Sequence, residues 1–373
     1  MIRLGVVFQA TPGSGGTYQY SLSLLEALRY AKGYKITVYA DPSNADLAEL
    51  GYPTCEFSER RAKQLIYLAA DAVGLRLEDP FADQDILIAP TYSVSLLHTK
   101  KPFAYTLHDL QELHYPENFS WPQRKWRSGV HAQLAPRAAR IICESEYVKS
   151  DITRAFNVPN EKVAVITAPP LRQTSREMTS QELDQVRYRL GLPDDFLFYP
   201  AQFWPHKNHL RLFAAFKQVV AQQPDLKLIL TGKERNGYGV VNRAIANAGL
   251  VGNIKHLGYV EQADLQAIYH LATALIMPSL FESVSIPIYE AFQAGTPVAV
   301  SNILSIPEQV GDAGLLFDPI SVSSIADSML KLVNDPELAS QLGERGRKKM
   351  AVFTQQNYCK QLQDLLDAVA AVG

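Results

Sequence analysis

Short runs of apolar, often β-branched residues alternate along most of the chain with segments of helical hydrophobic spacing. The runs predict strands at 2–8, 35–40, 85–89, 103–107 and 140–144, and later at 196–201, 226–231, 254–257, 274–277, 297–300 and 314–317. The spaced segments predict helices at 17–31, 60–73, 123–139, 147–156, 322–334, 336–350 and 355–372. Continuous apolar strands between helices are typical of a parallel sheet that is covered on both faces. We therefore predict an α/β fold.

The stretch 168–195 interrupts this alternation. It contains Pro169 and Pro170, a polar run over 172–185 and turn residues at 191–195, which together are typical of a linker. A length of 373 residues also favours two domains, at about 150 residues each. We predict domains at 1–170 and 171–354. Ligands of open α/β sheets bind at the carboxyl ends of the strands, so two such sheets that face each other would hold a ligand in the cleft between them.

Composition excludes several classes of protein. Hydrophobic residues make up 47% and charged residues 20% of the chain, which excludes a disordered or fibrous protein, and a net charge of −2 disfavours general nucleic-acid binding. Cys55, Cys143 and Cys359 are far apart, which predicts a reducing compartment and no structural zinc. The sequence begins without the features of a signal peptide and has no run of 18 apolar residues. We expect a cytoplasmic protein, with peripheral contact to a membrane surface left open.

A glycine-rich loop, 11–17, lies between the first predicted strand and helix. Its glycines would let backbone amides approach an anion or a sugar at the start of a helix. Gly13 and Gly15 match part of a dinucleotide fingerprint, and Asp41 ends the second strand as a ribose-binding acid would, but the third glycine is missing. A nicotinamide enzyme and a tight turn without ligand both stay open from these residues.

Two carboxylates, Glu282 and Glu290, follow the predicted strand 274–277. Ser283 or Ser285 suits the cap of the next helix and Pro287 suits its first turn, so the helix amides and dipole would favour a diphosphate. The simpler reading is a solvated helix start. Apolar residues around Glu282 favour a site.

The loop 199–209 contains Trp204, His206, Lys207, Asn208 and His209 after the first strand of the second domain. A cation at this point of an α/β sheet can neutralise a phosphate. An exposed lysine at a helix start is the alternative. Loops on rigid scaffolds often carry function, and the density of such side chains favours a site.

Two first-domain segments also attract attention. His108 suits a polar contact to a sugar, although a structural histidine is the alternative, and a metal site with Asp109, Glu112 and His114 is weakly indicated. The segment Trp121–Arg127 interleaves aromatic residues with cations, which suits a lipid interface or an anionic acceptor. An ordinary amphipathic surface helix would have the same composition.

The ordered motifs of 196–354 resemble the retaining glycosyltransferases of family 4, which have the GT-B fold. The resemblance is carried by the Lys207 loop, by Pro278–Glu282 with Glu290, by Ala294–Pro297, and by Ser305–Glu308 with Val310–Pro319. The first domain matches more loosely, at Gly15, Gly16, His108 and 145–147. This resemblance implies two Rossmann-like βαβ domains that face each other across a cleft, and a last helix, 355–373, that crosses back to the first domain.

The resemblance also implies roles for individual residues. Glu290 would bind the ribose hydroxyls, Glu282 would lie by the donor sugar, and Lys207 would bind the diphosphate. His108 would lie near the transferred sugar, as a catalytic residue with Glu282 and Lys207. The remaining donor-binding residues would be Gly15, Gly16, Gln202, His206, Ser283, Val284 and Ser285.

Two departures from the family pattern stand out. Ser283 and Ser285 replace glycines that usually follow the first glutamate, and Gln202 replaces an arginine that often precedes the lysine. His206 or a nearby cation, Lys233 or Arg235, would then supply the missing charge.

We expect a metal-independent, retaining enzyme without cofactor and without an Asp-x-Asp metal site. It would transfer sugar from a UDP- or GDP-sugar to a glycan or lipid-linked acceptor. A noncatalytic nucleotide-sugar-binding scaffold and an NAD-dependent oxidoreductase are the alternatives.

Overall fold

The computed structural model describes residues 1–170, 178–232 and 238–372, and the chain divides into two compact units. Unit 1 contains Met1–Arg172 and Thr354–Gly373, and unit 2 contains Gln173–Phe353. The segment 171–177, which is part of the predicted linker, and the two cations Lys233 and Arg235 lie outside the described residues.

Unit 1 is a doubly wound parallel sheet. Its strands are β1 (Ile2–Val7), β2 (Tyr34–Ala40), β3 (Thr54–Glu56), β4 (Ile86–Ala89), β5 (Phe103–Thr106), β6 (Arg140–Cys143) and β7 (Val163–Val165). Their order is β3-β2-β1-β4-β5-β6-β7, and every neighbouring pair is parallel. The helices are α1 (Gly16–Leu28), α2 (Ala45–Leu50), α3 (Arg61–Ala72), α4 (Gln111–His114), α5 (Trp121–Arg137), α6 (Glu146–Phe156) and the C-terminal α15 (Gln355–Ala370).

Unit 2 repeats this design. Its strands are β8 (Phe196–Pro200), β9 (Lys227–Thr231), β10 (Ile254–His256), β11 (Ala274–Met277), β12 (Val298–Ser301) and β13 (Gly314–Phe317), in the order β10-β9-β8-β11-β12-β13. All are parallel. The helices are α7 (Ser180–Leu190), α8 (His209–Val220), α9 (Tyr238–Ala248), α10 (Gln262–Leu271), α11 (Ile286–Ala294), α12 (Ile306–Val310), α13 (Val322–Asn334) and α14 (Pro336–Ala351).

Both faces of the first sheet are covered by apolar side chains. Leu4 and Val6 of β1 pack into one cluster with residues of α1 and α15, while Val7 points to the other face. That alternation is the two-residue period of a strand. Tyr358, Leu362 and Leu366 bring α15 into the first cluster, so the end of the chain completes unit 1.

The predicted strands and the α/β class are confirmed, but the polar run 172–185 is not all linker. Its second half belongs to α7, which begins with a capping box in which Thr179 and Glu182 bond reciprocally. Gly191, in the left-handed region, ends the helix, and Val186 is its buried residue. A mostly exposed helix has few apolar positions, so its sequence is easily mistaken for a linker.

The strands β3 and β7 are not predicted by the pattern. Each has three residues at an edge of the sheet, and all three residues of β3 are exposed. β3 lacks an apolar run, and β7, although apolar, is too short to show a strand period. Within the described part of the chain, no helix combines the length and the apolar character needed to cross a membrane.

Candidate active site

The strand order of unit 2 reverses between β8 and β11, because β9 lies on one side of β8 and β11 on the other. Loops that leave the carboxyl ends of two such strands diverge to opposite faces and open a crevice, which is where ligands of this architecture bind. The loop after β8 contains Lys207, and the loop after β11 contains Glu282. Lys207 and Glu282, two of the residues predicted from the sequence, therefore lie on the two loops that flank this crevice.

Hydrogen bonds to backbone carbonyls hold the loop that carries Lys207 against β8 and against the loop after β11. The Tyr199 hydroxyl, buried at the end of β8, donates to the carbonyl of Lys207 (2.8 Å). The Leu280 amide donates to the carbonyl of His206 (2.7 Å). A short 3-10 turn, Pro205–Lys207, connects these carbonyls. Lys207 is therefore presented by a backbone that is held on both sides.

Asn208 adds a second anchor. Its backbone is in the left-handed region (φ 60°), which asparagine tolerates. Its buried side-chain amide donates to the carbonyls of Pro278 (2.9 Å) and Pro319 (2.8 Å). Gly232, after β9, also lies close by, since a Cβ there would come within 2.7 Å of the Ala201 carbonyl oxygen. The crevice floor is thus closely packed backbone.

Lys207 and Glu282 form an ion pair across the crevice. The Lys207 Nζ lies 2.5 Å from the Glu282 Oε1, and their side chains are 22% and 11% exposed. An ammonium group has three donors, so Lys207 can bind two more acceptors while it keeps this bond. The pair couples a cation that suits a phosphate to a carboxylate that suits a sugar hydroxyl.

Beside Lys207, His209 is a neutral residue. Burial, and then the charge of Lys207, lower the pKa of His209 to about 3. The imidazole therefore adds no charge to the crevice at neutral pH. Gln202 accepts a hydrogen bond from the Trp204 indole (3.1 Å), and both lie in the same loop as the half-buried His206.

Glu290 lies on α11 and is held by two polar side chains. The Tyr269 hydroxyl donates to its Oε2 (2.8 Å), and the Gln262 amide donates to its Oε1 (3.5 Å). Burial raises the pKa of Glu290, and these two hydrogen bonds oppose the rise. A half-buried carboxylate with free acceptor capacity favours a ligand that donates hydrogen bonds, such as the two hydroxyls of a ribose.

The serine loop between Glu282 and α11 is held by protein groups. Gln309 accepts a hydrogen bond from the Ser285 amide (3.0 Å) and donates to the Ser285 carbonyl (2.7 Å). The Ser285 hydroxyl is buried against the sulfur of Met277 (3.1 Å), and the Ser305 hydroxyl donates to the Ser283 carbonyl. The Ser285 amide therefore already has a protein partner, and a diphosphate at the start of α11 would have to bind other amides of that helix.

Val284 is half-buried and packs against the apolar core of unit 2, and Ser283 is also half-buried. Both lie in the loop that carries Glu282. The loop thus presents its glutamate to the crevice while its following residues anchor it to the core.

Gly15, Gly16 and His108 belong to unit 1. Gly15 is the cap of α1 and has φ 61° and ψ −124°, a conformation that residues with a side chain rarely adopt. Gly16 begins α1, and both glycines are exposed. Tyr20, one turn further along α1, packs its ring edge-on against the His108 ring, with centroids 4.6 Å apart.

Both ring nitrogens of His108 face protein acceptors. Nδ1 lies 3.0 Å from the Glu144 carboxylate, and Nε2 lies 3.0 Å from the Pro90 carbonyl. Burial lowers the pKa of His108, but the hydrogen bond and charge of Glu144 outweigh burial and the net pKa is raised. Two acceptors are satisfied together only by the protonated ring. A contact of His108 with a donor sugar would therefore use a ring carbon or the main chain.

The four residues considered as metal ligands are instead engaged with other protein side chains. His108 faces Glu144, His114 lies 2.5 Å from Asp151, and Arg127 binds both Asp109 and Glu112 (2.9 Å each). Among the residues that the structure describes, no group of three or more such side chains is placed to hold a metal ion.

The sequence does contain one Asp-x-Asp spacing, at Asp83 and Asp85. They precede β4, however, at the amino end of the strand. Asp85 accepts hydrogen bonds from the Arg3 guanidinium (2.6 Å), and these bonds lower its pKa to about 2. Asp85 is therefore part of a structural ion pair.

The segment Trp121–Arg127, suggested by the sequence as a lipid interface, is only partly exposed. Arg127 is bound to two carboxylates, and Trp126 lies under the Arg61 guanidinium, which is 3.6 Å from its ring centroid. Trp121 and Lys125 remain exposed. Arg127, one of the three cations of this segment, is therefore engaged within the protein and does not point freely to solvent.

The geometry agrees with comparisons to known proteins. Residues 180–349 match the family model described as glycosyl transferases group 1, and residues 14–168 match the model described as glycosyltransferase family 4. The chain belongs to glycosyltransferase family 4.

Relatives of this glycosyltransferase include enzymes of O-antigen assembly. It is 28% identical to O-antigen chain mannosyltransferase B of Escherichia coli over 70% of this chain and 69% of that protein. It is 24% identical to O-antigen chain mannosyltransferase RfbU of Salmonella typhimurium over 87% of this chain and 89% of that protein.

Solved structures show the fold. HepE of Anabaena, crystallised in complex with UDP and glucose, matches 99% of this chain and 100% of its own with a TM-score of 0.79 at 19% identity. Sucrose-phosphate synthase of Thermosynechococcus elongatus matches both chains completely with a TM-score of 0.77 at 19% identity. The glycosyltransferase therefore has two Rossmann-like domains of the GT-B class.

Three residues that shape the site could not be assigned from the sequence alone: Tyr269, Gln309 and Glu144. Each contacts a predicted residue that is distant in the chain, so spacing could not identify it. Asn208 belongs to a loop that the sequence singles out, but its anchoring contacts to Pro278 and Pro319 appear only in the folded chain.

Lys207→Ala should slow sugar transfer. It removes the cation that we expect to face the leaving group, and loss of one such electrostatic partner costs about 2–4 kcal/mol of barrier, or about 30- to 1,000-fold in kcat. Lys217→Ala, an exposed lysine on α8, is the matched control. Turnover of the Lys207 variant at the wild-type rate would remove this residue from the reaction.

Glu290→Gln should weaken nucleotide binding and stabilise the fold. Loss of charge-assisted hydrogen bonds should cost about 1.5–3 kcal/mol of affinity by calorimetry. A raised folded-state pKa means that this carboxyl contributes stability below its unfolded pKa and loses that contribution as pH rises through the folded pKa.

The free energy of unfolding of the Glu290→Gln variant should therefore exceed that of the wild type at pH 7, by a margin that shrinks toward pH of about 4. The exposed Glu49→Gln should change neither property. Unchanged nucleotide affinity would exclude Glu290 from the site.

Gln309→Leu should reduce both stability and turnover. Two buried backbone groups of Ser285 would lose their partner, at about 1–3 kcal/mol each. A shifted Glu282 loop should lower kcat by about 100-fold with a smaller effect on KM. The exposed Gln341→Leu is the control. A loss of stability with normal turnover per folded molecule would show that Gln309 only supports the fold.

Proposed function

We propose that this glycosyltransferase moves a sugar, with retention of anomeric configuration, from a nucleoside diphosphate donor to a hydroxyl of a growing glycan or lipid-linked acceptor. The donor nucleotide is UDP or GDP. The observation that carries the proposal is the Lys207–Glu282 ion pair at the strand-order reversal of unit 2. Family membership supports the class of reaction, and the ion pair supports the roles proposed for Lys207 and Glu282.

Breaking the bond to the sugar leaves negative charge on the diphosphate. Lys207 would stabilise this charge through the ammonium donors that Glu282 does not use. Its backbone is fixed by Tyr199, so the cation needs little reorganisation when the charge develops. A preorganised charge in a partly buried site acts more strongly than one in water.

The two glutamates have separate tasks in this proposal. Glu290 would accept hydrogen bonds from the ribose hydroxyls, with Tyr269 and Gln262 holding its carboxylate. Glu282 would lie against the donor sugar and stabilise positive charge there. We do not assign it as a covalent nucleophile.

The names of the relatives suggest the transferred sugar. Two relatives that match more than two thirds of this chain are O-antigen chain mannosyltransferases. We therefore propose a mannosyl donor and an acceptor in the assembly of a cell-surface polysaccharide. The cytoplasmic location stays a prediction.

The direct test is mass spectrometry of products after incubation with a panel of UDP- and GDP-sugars and simple glycoside acceptors. A mass gain of one hexose with a mannosyl donor is expected, and NMR of the product should give the same anomeric configuration as the donor. Nucleotide binding without transfer or donor hydrolysis would favour the noncatalytic scaffold. Binding of NAD in preference to UDP and GDP would favour the oxidoreductase.

Activity should survive EDTA. Protein groups, Lys207 above all, would neutralise the diphosphate, so chelation of divalent ions should leave kcat within about two-fold of its original value. A metal-dependent phosphoryl-transfer enzyme assayed in the same buffer is the control for effective chelation. Strict dependence on magnesium or manganese would contradict the proposed handling of the leaving group.

A further inference from the structure

Helix α3 presents its apolar side to solvent. Its exposed residues after Arg61, continued to the residue that follows the helix, are all apolar: Ala62, Leu65, Ile66, Ala69, Ala72 and Val73. We call this set the α3 stripe. A surface helix of a globular protein normally shows the opposite arrangement, with polar residues toward water.

The stripe has the spacing of one continuous helix face. Its members recur at intervals of three and four residues, whereas Tyr67 and Ala70 form the buried side. Leu65, Ile66 and Val73 are 52%, 60% and 78% exposed. Large exposed aliphatic groups in one row mark an interaction surface rather than the scattered apolar residues of an ordinary surface.

Cations lie at the amino end of the stripe, and none of its members is acidic. Arg61 is exposed at the start of α3. Asp71, the acid of this helix, has a side chain only 9% exposed and is bound to Arg137 (2.7 Å). Arg60 is partly compensated by Asp41, whose pKa is lowered by hydrogen bonds from Ser43 and more weakly by Arg60.

The same surface extends to the start of α5. The Arg61 guanidinium lies over the Trp126 ring, which joins the two helices. There Trp121 is 64% exposed, and the Lys125 ammonium lies 5.9 Å from the centroid of its ring. Aliphatic side chains, a tryptophan and cations together are the composition of helices that lie in the interface of an anionic membrane.

The size of the stripe disfavours a second copy of this chain as its occupant. Twelve helical residues span about 18 Å, and a helix is about 10 Å wide. A specific interface buries about 800 Å² on each partner, which is several times this footprint. A lipid surface has no such requirement.

We propose that the α3 stripe, with Arg61, Trp121 and Lys125, rests on an anionic lipid surface. The aliphatic side chains enter the boundary between headgroups and acyl chains, while the cations stay at the headgroups. This inference deepens the proposed function, because it names the surface at which a lipid-linked acceptor would be met. This surface takes the place of the segment Trp121–Arg127, which the sequence suggested as the lipid interface.

The test is sedimentation of the full chain with phosphatidylglycerol–phosphatidylcholine vesicles and with phosphatidylcholine vesicles. The wild type should bind the anionic vesicles, and high salt should weaken this binding. Leu65→Gln combined with Ile66→Gln should lower the partition coefficient about ten-fold or more. Arg61→Gln combined with Lys125→Gln should lower it about five-fold for each cation.

Matched controls come from unit 2 and α15. Val251→Gln with Ile320→Gln removes similarly exposed aliphatic groups, and Lys217→Gln with Lys360→Gln removes exposed cations. Both control pairs should bind vesicles as the wild type does. Equal binding by the stripe variant and the wild type, or no binding by the wild type, overturns the proposal.

A second measurement covers the case in which the stripe variant fails to fold. Leu65→Trp should shift tryptophan emission to shorter wavelength on addition of anionic vesicles, by more than the wild type shifts. No additional shift contradicts insertion of the stripe. A dimer in light scattering that Leu65→Gln with Ile66→Gln dissociates would identify a second copy as the occupant and also overturns the proposal.

Vesicle binding needs neither donor nor acceptor, so it is independent of the proposed reaction. Failure of all sugar transfer with intact vesicle binding would reject the proposed function alone. Transfer to a soluble glycoside by a chain that binds no vesicles would reject the surface alone.

Discussion

The ion pair between Lys207 and Glu282 organises the site of unit 2. Each residue lies on a loop that leaves the carboxyl end of a strand, and the two strands, β8 and β11, are those between which the strand order reverses. Partly buried charges are costly unless they are paired, so each charge makes the other tolerable before any ligand binds. Tyr199 and Asn208 fix the backbone beneath them. A diphosphate and a sugar can then bind groups that are already in place.

Glu290 illustrates the cost of such a site. Its side chain is half-buried, and the loss of hydration raises its pKa, so the ionised form that would bind a ribose is disfavoured by the folded protein itself. Tyr269 and Gln262 offset part of this cost. In its proposed role the residue would contribute to binding at the expense of stability, which is a common property of functional sites.

Sequence patterns predicted what depends on local periodicity or on ordered motifs. The buried parallel strands and the positions of Lys207, Glu282 and Glu290 follow from one-dimensional spacing and from resemblance to a family. The partner of each polar side chain does not. Gln309 binds Ser285 from 24 residues away, and Glu144 binds His108 from 36 residues away. Only the fold brings these pairs together, so the sequence could not show that the Ser285 amide and the His108 ring already have protein partners. The outward face of α3 was missed for the same reason, since apolar residues at helical spacing predict a face but not the direction in which it points.

The central claim is that a nucleoside diphosphate binds the crevice between the loops after β8 and β11. Hydrogen–deuterium exchange with mass spectrometry, with and without saturating UDP or GDP, tests it most directly. We predict slower exchange of backbone amides in 202–208 and 281–290, where binding would suppress local opening. Unchanged exchange in both segments, in the presence of a nucleotide that binds the protein by calorimetry, would contradict this account of the site.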